Sequence, residues 1–524
     1  MVRLALRGLQ ATCVFSVVLI SPILAHGQPA APTLLRFVNG SSSSGGVTLV
    51  PAGADLQAAI DQAQPGDTLV LTAGATYVGN FVLPVKSGAS DITIRSSAPA
   101  SALPGPQTRI TPAYASQLPK LRSPNSSPAL STAPGAHHYR LECIEFLANL
   151  QGFYDVIALG DGSSAQRTLS SVPHHLVLDR IYIHGDPTYG QKRAIGLNSA
   201  STSILNSYIS EIKAIGQDSQ GIAGWNGPGP YVISNNYIEA AGENVLFGGS
   251  DPAISGLIPS DITFTRNYLS KPLSWRSDPS FTVKNLFELK SAQRVVINAN
   301  VMEHNWMAGQ SGYAVLFTPR NQDGGAPWTV VQNVEFTNNI VRHSSGGVNL
   351  LGNDYLHPSL QTNHIVIRNN LFQNLSAATF GGAGRFLLIN GGADITVDHN
   401  TIIQDGLSAI FADSNPTTRF VLTNNIIPDY SWALMGSGTA PGNGTIATYL
   451  PGAVVDRNIW AGSNPSTYPT GNYYPSTMDD VGFVNLSAGD YRLSATSAYR
   501  TAASDGTAVG CDIDALNAAV AGVT

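Results

Sequence analysis

The chain has 524 residues and a formal net charge of −6, and only 12% of its residues are charged. This charge balance provides no polycationic surface, which argues against nucleic acid as a partner. A single globular core stops growing near roughly 250–300 residues, so a chain of this length must form several domains or a repeat array. The 52 glycines and 32 prolines argue against an architecture of long helices.

The N-terminus has the pattern of an export signal. Arg3 and Arg7 precede an apolar run over residues 11–25, and small residues follow for cleavage after Gly27. The run is shorter than the roughly 20 residues that a membrane-spanning helix needs, which argues against a membrane anchor. We therefore expect residues 1–27 to be a signal peptide. The mature protein would be secreted, to an extracellular or periplasmic location, without integral membrane contact.

A short phrase recurs through most of the chain: one or two polar residues, an asparagine and a pair of apolar residues. The intervals between copies run from 25 residues (Asn400 to Asn425) to 39 residues (Asn300 to Asn339). A period in this range with irregular insertions predicts a stacked array whose coils differ mainly in their loops. The asparagines are Asn236, Asn267, Asn300, Asn339, Asn370, Asn400, Asn425 and Asn458.

Short β-branched runs precede these asparagines, such as "DITFT" before Asn267 and "HIVIR" before Asn370. Asparagine tolerates left-handed backbone angles at tight corners. Stacked on the asparagine of the next coil, its amide can donate and accept along a ladder. We therefore predict an all-β fold, a parallel β-helix. A leucine-rich repeat would need tighter leucine spacing and helical returns, and a propeller would need four strands in roughly 30 residues.

With these coils, the sequence resembles the right-handed parallel β-helix proteins of the pectate-lyase-like superfamily. "DLQAAIDQAQPGDTLVLTAGATYVGNFVLP" (residues 55–84) is similar to their opening segment, in which an amphipathic helix caps the first coil, and residues 481–516 resemble a closing segment. The resemblance implies a β-helix with two caps over residues 47–516. A flexible linker (28–46) and a C-terminal tail (517–524) would flank it. The fold alone implies no single function.

The strand "FELKS" carries residues that could perform chemistry. Because side chains alternate along a strand, Phe287 should point inward while Glu288 and Lys290 share the outer face. Aligning the apolar residues of neighbouring coils stacks Phe287 between Val245 and Val315. The same alignment places Arg320 just beyond Lys290. It also predicts one outer row of side chains, formed by Asn244, Glu288, Leu316 and Asn349.

"FELKS" followed by "VLFTPRNQDG" is similar to the arrangement in chondroitin- and alginate-type β-helix lyases. β-Elimination of a uronate needs a base and positive charge beside the substrate carboxylate. The resemblance implies Lys290 and Arg320 as catalytic residues. It also implies a Ca²⁺ site on Glu243, Asn244 and Glu288, since this ion prefers oxygen ligands. The sequence lacks the signatures of polygalacturonase-type hydrolases and of the best-known pectate lyases.

Long segments flank this strand and predict a groove that binds polysaccharide. Tryptophan rings present large apolar faces on which sugar rings can lie. A histidine in a nearby loop could bind substrate or serve as acid or base. The predicted substrate-binding residues are Trp275, Trp306, Trp328, Asn349 and His343.

Two pairs of adjacent histidines, His137–His138 and His174–His175, lie on predicted strands. Neighbouring side chains on a regular strand point to opposite faces. The sequence therefore argues against metal chelation by either pair.

The leading hypothesis is an exported protein that binds polysaccharide in a groove and cleaves uronate polymers by β-elimination. One alternative is a non-catalytic secreted glycan-binding or structural protein, in which Glu288 and Lys290 form an exposed ion pair worth at most about 1 kcal/mol. Another is a glycoside hydrolase using Glu243 and Glu288, which needs two carboxyl groups roughly 5–10 Å apart. The sequence leaves the polysaccharide, the metal and the oligomeric state open.

Overall fold

The computed structural model of the protein describes residues 35–37 and 45–524. The predicted signal peptide and most of the predicted linker lie outside these residues. The described chain forms a right-handed parallel β-helix with three long sheets, which confirms the predicted fold. In this part of the chain, no helix combines the length and hydrophobicity needed to cross a membrane.

Sheet A contains 15 strands among the described residues, and all neighbours are parallel except the first pair. Its strands are Leu35–Phe37, Val47–Val50, Thr68–Leu71, Ile92–Ser96, His137–Glu142, His174–Asp179, Ala200–Leu205, Tyr231–Ser234, Ser260–Thr265, Ala292–Asn298, Val331–Thr337, Asn363–Arg368, Ala393–Asp398, Val421–Thr423 and Val454–Asp456.

Sheet B follows sheet A along each coil and has 13 described strands. These are Thr76–Val78, Lys120–Arg122, Glu145–Leu147, Tyr182–His184, Tyr208–Ile212, Tyr237–Ala240, Tyr268–Ser270, Val301–Asn305, Ile340–Ser344, Leu371–Leu375, Thr401–Gln404, Ile426–Pro428 and Ile459–Ala461.

Sheet C completes each coil and has 12 strands in the described part. These are Phe81–Leu83, Leu130–Thr132, Asp155–Leu159, Arg193–Leu197, Gln220–Gly224, Glu243–Phe247, Asn285–Leu289, Tyr313–Phe317, Gly346–Leu351, Leu387–Asn390, Ser408–Ala412 and Trp432–Gly436.

Helices are short and lie at the ends of the solenoid or in loops. The α-helices of the described chain are Leu56–Gln62, Ala377–Phe380, Asn443–Tyr449 and Ile513–Ala519, and the 3₁₀ helices are Ala100–Ala102, Pro112–Gln117, Leu150–Gly152, Leu169–Ser171, Leu273–Ser277 and Asp479–Val481.

The recurring asparagines form a buried column at the bend between sheets A and B. Asn300 illustrates the contacts: its Nδ2 donates to Asn339 Oδ1 at 2.9 Å and to the carbonyl of Phe264 at 3.0 Å. Its Oδ1 accepts from both the backbone N–H and the Nδ2 of Asn267. Each asparagine therefore satisfies backbone groups that the bend would otherwise bury without partners.

Asparagine was expected at this bend because it tolerates left-handed backbone angles, but the ladder asparagines themselves do not adopt these angles. The left-handed residue precedes each ladder asparagine, as Ala299 (φ 58°) precedes Asn300 and Arg266 (φ 56°) precedes Asn267. The asparagine is therefore required for its amide, and the turn itself tolerates several residue types.

Both caps cover apolar surface that the solenoid would expose. The helix Leu56–Gln62 buries Leu56 and Ile60, and Asp55 caps it by accepting from the N–H of Ala58. The C-terminal segment packs Phe483 and other apolar residues against the outer face of sheet B. Its last helix runs from Ile513 to Ala519, so the predicted boundary between cap and tail at residue 516 falls inside a helix.

We predict that Asn300→Ala lowers the free energy of unfolding by about 2–4 kcal/mol, because it leaves buried groups of Asn267 and neighbouring carbonyls unsatisfied. Asn298→Ala is the matched control. Its half-buried amide donates to Thr337 Oγ1, so its loss should cost less than about 1 kcal/mol. Denaturant unfolding followed by circular dichroism measures both variants. Equal losses would contradict a special role for the ladder.

Candidate functional site

The strands of sheet C depart from simple alternation where they begin. Leu286 and Phe287 are consecutive and both fully buried in the core, so two inward residues separate the outward side chains of Asn285 and Glu288. The outward pair is joined by a hydrogen bond from Asn285 Nδ2 to Glu288 Oε2 at 3.0 Å. This local geometry brings side chains three positions apart onto one surface.

The inner row has the predicted register: Phe287 pairs with Val245 on one side and with Val315 on the other. In the outer row, Glu288 pairs with Leu246 and not with Asn244. The prediction that Asn244 lies in that row is therefore wrong. On these four coils the outer row is Leu246, Glu288, Leu316 and Asn349.

A cleft of about 360 Å³ lies on the outer face of sheet C, and we call it the sheet C cleft. It brings together three predicted site residues with charged side chains, Glu288, Lys290 and Arg320, and the predicted Asn349. The rest of the lining comes from later coils and loops. These residues are Gln310, Ser311, Leu316, Thr318, Leu351, Tyr355, Leu388, Asn390 and Asp413.

Glu288 is almost completely buried, with 1% of its side chain exposed, and Lys290 Nζ lies 3.6 Å from its Oε1. Burial raises the pKa of Glu288; Lys290 opposes this rise and nearby Glu243 adds to it. The two residues are therefore not the exposed surface pair expected of an inert sheet face. A buried carboxyl and a partly exposed amine meet at the floor of the cleft.

Arg320 is held in place from two sides. Its Nη1 donates to Asp354 Oδ1 at 2.8 Å, and the Asp354 carboxylate is fully buried. Its guanidinium also lies over the ring of Tyr355, 4.5 Å from the centroid. The backbone N–H of Arg320 donates to the carbonyl of Lys290 at 2.9 Å, which fixes the two residues relative to each other. Such a fixed guanidinium suits the binding of a carboxylate.

Glu243 begins the neighbouring strand and is also buried, with 1% of its side chain exposed. Its Oε1 lies 3.2 Å from Lys284 Nζ, and its Oε2 accepts from Gln220 Nε2 at 3.0 Å. Burial alone would lower the pKa of Lys284, but Glu243 and Asp218 outweigh it and raise that pKa. Glu243 therefore belongs to a charged network beside the cleft.

The buried Lys271 supports this region and was missed by sequence reasoning. Its Nζ donates to Asn244 Oδ1 at 2.8 Å and to the carbonyls of Ala240, Gly242 and Asn285 at 2.7, 3.0 and 2.9 Å. Burial lowers the pKa of Lys271 to about 7, and Glu243 partly opposes this. The ammonium ties together the starts of the two strands that carry Glu243 and Glu288.

Asn244 lies inside the solenoid and not at the cleft. Its Nδ2 donates to the carbonyls of Ile238 and Ser270, and its Oδ1 accepts from Lys271. The available amide beside the carboxylates is that of Asn285, whose Oδ1 is buried without a hydrogen-bond partner. Two buried carboxylates and a free amide oxygen are hard donors of the kind that Ca²⁺ prefers. Asn285 thus replaces Asn244 in the candidate metal set.

The predicted aromatic platforms do not line the cleft. Trp275 and Trp306 are each only 6% exposed and pack in a separate apolar cluster. Trp328 donates its Nε1–H to the carbonyl of Leu257 and is half-buried. The aromatic ring in the cleft is Tyr355, which is 73% exposed and follows the strand that carries Asn349. The signal available in the sequence was a tyrosine in the loop that follows the apolar run "GGVNLL".

His343 also lies elsewhere. It is on sheet B, where its ring stacks on His304 with centroids 5.5 Å apart and its Nδ1 contacts the amide of Asn374. The expected role of His343 in substrate binding is not supported by this placement, because the sheet C cleft is on a different face.

No family model matches the sequence, and no match was found among curated proteins. The solved structure of the PL6 family alginate lyase AlyGC is similar, with 14% identity and a TM-score of 0.52. The alignment covers 88% of this chain and 58% of AlyGC, so the chain spans less than two thirds of that structure. At this identity the likeness shows a shared β-helix fold.

Two further solved structures are similar with lower TM-scores. One is a mannuronic acid specific polysaccharide family 6 lyase from human gut microbiota, with 13% identity, a TM-score of 0.47 and coverage of 82% of this chain and 90% of that one. The other is a GH87 α-1,3-glucanase from Streptomyces thermodiastaticus strain HF3-3, with 9% identity, a TM-score of 0.47 and coverage of 81% and 65%.

We predict that Lys271→Met destabilises the protein by about 3–5 kcal/mol, because it removes a shared donor from four buried oxygens. Lys86→Met is the control, since the Lys86 ammonium donates to a single carbonyl, that of Asp61, at the surface. Thermal and denaturant unfolding measure both. A Lys271→Met protein as stable as the control would show that the ammonium is not needed to hold these strands.

Proposed function

We propose that this protein is a polysaccharide lyase that cleaves a uronate polymer by β-elimination in the sheet C cleft. The observation that carries the proposal is the meeting of Lys290, Arg320 and the buried Glu288 in one cleft. The fold it shares with a PL6 family alginate lyase agrees with this chemistry. The predicted export signal would bring the enzyme to polysaccharides outside the cytoplasm.

Arg320 would bind the carboxylate of the sugar unit next to the bond that breaks. Neutralising that carboxylate acidifies the adjacent C–H bond and stabilises the enolate-like intermediate. The fixed position of Arg320, between Asp354 and Tyr355, means that little reorganisation accompanies the reaction.

Lys290 would be the base that removes the proton from this carbon. Its side chain is 18% exposed, so the amine can reach a sugar in the cleft. The electron pair of the C–H bond then forms a carbon–carbon double bond, the glycosidic C–O bond breaks, and the departing oxygen takes a proton from water.

Glu243, Glu288 and Asn285 would hold Ca²⁺ beside this pair. When bound there, the ion would supply further positive charge for the substrate carboxylate. Because Lys284 already contacts Glu243, this lysine must move or share the carboxylate when the ion binds. The exposed ring of Tyr355 would carry the apolar face of a sugar unit.

We predict that Lys290→Ala lowers the elimination rate about 10³-fold, the scale of a lost general base. The assay follows the ultraviolet absorbance of the unsaturated product on pectate, alginate and glycosaminoglycans, with Ca²⁺ and with a chelator. Lys86→Ala, which removes a lysine far from the cleft, is the matched control and should retain full activity.

Two outcomes would contradict the proposal. One is an unchanged rate in Lys290→Ala. The other is a wild-type protein that forms no unsaturated product from any uronate polymer, and saturable binding of one of these polymers would then favour the glycan-binding alternative. Reducing ends without an absorbing product would favour hydrolysis.

A further inference from the structure

Four histidines lie together on the outer face of sheet A, away from the sheet C cleft. They belong to adjacent strands, and His137 is in register with His174. Imidazoles of successive coils stack, with centroids 4.9 Å apart for His137 and His174 and 4.6 Å apart for His138 and His175. The two histidine pairs thus form a two-by-two array of rings.

The backbone explains why both members of each pair reach the same face. His138 and His175 have left-handed backbone angles, with φ values of 59° and 55°. A left-handed residue interrupts the alternation of the strand, so its side chain turns to the side of its neighbour. This corrects the expectation, drawn from regular alternation, that the members of each pair point to opposite faces.

The ring nitrogens are close enough to share one ion. His137 Nδ1 lies 2.7 Å from His138 Nδ1, and His174 Nδ1 lies 2.6 Å from His175 Nδ1. One nitrogen from each of His138, His174 and His175 lies within 4.8 Å of the others. Zinc–imidazole bonds of about 2.0–2.1 Å place tetrahedral ligand nitrogens about 3.4 Å apart, so the histidine rings must rotate to close around an ion.

Later coils of sheet A also have a residue with left-handed backbone angles, but there these residues carry opposite charges on neighbouring coils. Arg294 contacts Asp261, and Arg419 contacts Asp394. In the described structure, the hydrogen bonds of the four histidine rings are made only to one another. Among the described residues, these four histidines therefore form no ion pair of the kind that later coils have at this position.

We propose that His138, His174 and His175, with His137 as fourth ligand, bind a divalent transition-metal ion of the Zn²⁺ class. Imidazole ligands suit Zn²⁺, Cu²⁺ and Ni²⁺, whereas Ca²⁺ and Mg²⁺ prefer oxygen. An ion held here joins two consecutive coils near the N-terminal end of the solenoid. The site is separate from the carboxylate set of the cleft in both position and donor chemistry.

Isothermal titration of the full chain with Zn²⁺ tests this proposal. We expect saturable uptake of one ion per chain and a higher melting temperature with Zn²⁺, and neither effect with Mg²⁺. The double variant His138→Ala/His174→Ala should lose both effects. His364→Ala is the control, because His364 is also a left-handed residue on sheet A but its partner is Asp394.

Absence of saturable Zn²⁺ uptake by the wild type would overturn the proposal, as would uptake that survives in the double variant. A variant that loses uptake must also keep the circular dichroism spectrum of the wild type. If it unfolds, the milder His174→Gln variant replaces it, and unchanged Zn²⁺ affinity in that variant would equally contradict the site.

Discussion

The stacking of coil on coil through buried amides is the constraint on which the rest of the structure depends. From Asn267 to Asn425, each ladder asparagine accepts from the asparagine of the preceding coil and donates to that of the next, and it also binds backbone groups at the bend. A coil that slipped by one residue would lose these contacts and turn its apolar side chains outward. The ladder thus fixes the register of all three sheets.

A fixed register gathers residues that are distant in sequence. Lys290 and Arg320 are 30 positions apart, yet their backbones are joined by a hydrogen bond because both follow paired strands on adjacent coils. The loops then position the charged groups, because Asp354 and Tyr355 contact Arg320 and fix its guanidinium. Burial separates the Glu288 carboxyl group from water. The sheet C cleft is therefore a product of regular coils and irregular connections.

The sequence was sufficient to predict the fold and the inner row, because recurring asparagines and apolar alternation report directly on buried positions. It was insufficient where the strands are irregular. The paired inward residues Leu286 and Phe287 shift the outer row, and this replaces Asn244 with Leu246. The left-handed angles at His138 and His175 leave no mark in a hydrophobic pattern, since several residue types occupy that place on other coils.

The prediction that tryptophans line the cleft was wrong for a different reason. Tryptophan in a long loop can cover apolar surface as readily as it can contact sugar, and Trp275 and Trp306 do the former. Lys271 was missed because its role depends on four oxygens from two separate segments, residues 240–244 and Asn285. Contacts of this kind become visible only when the coils are stacked.

A crystal structure of the Lys290→Ala protein with a bound uronate oligosaccharide tests the central claim most directly. The account predicts a sugar carboxylate on Arg320, a sugar ring on Tyr355, and the carbon that loses its proton facing position 290. An oligosaccharide bound only on another face, such as the tyrosine column of sheet B formed by Tyr208, Tyr237 and Tyr268, would contradict it.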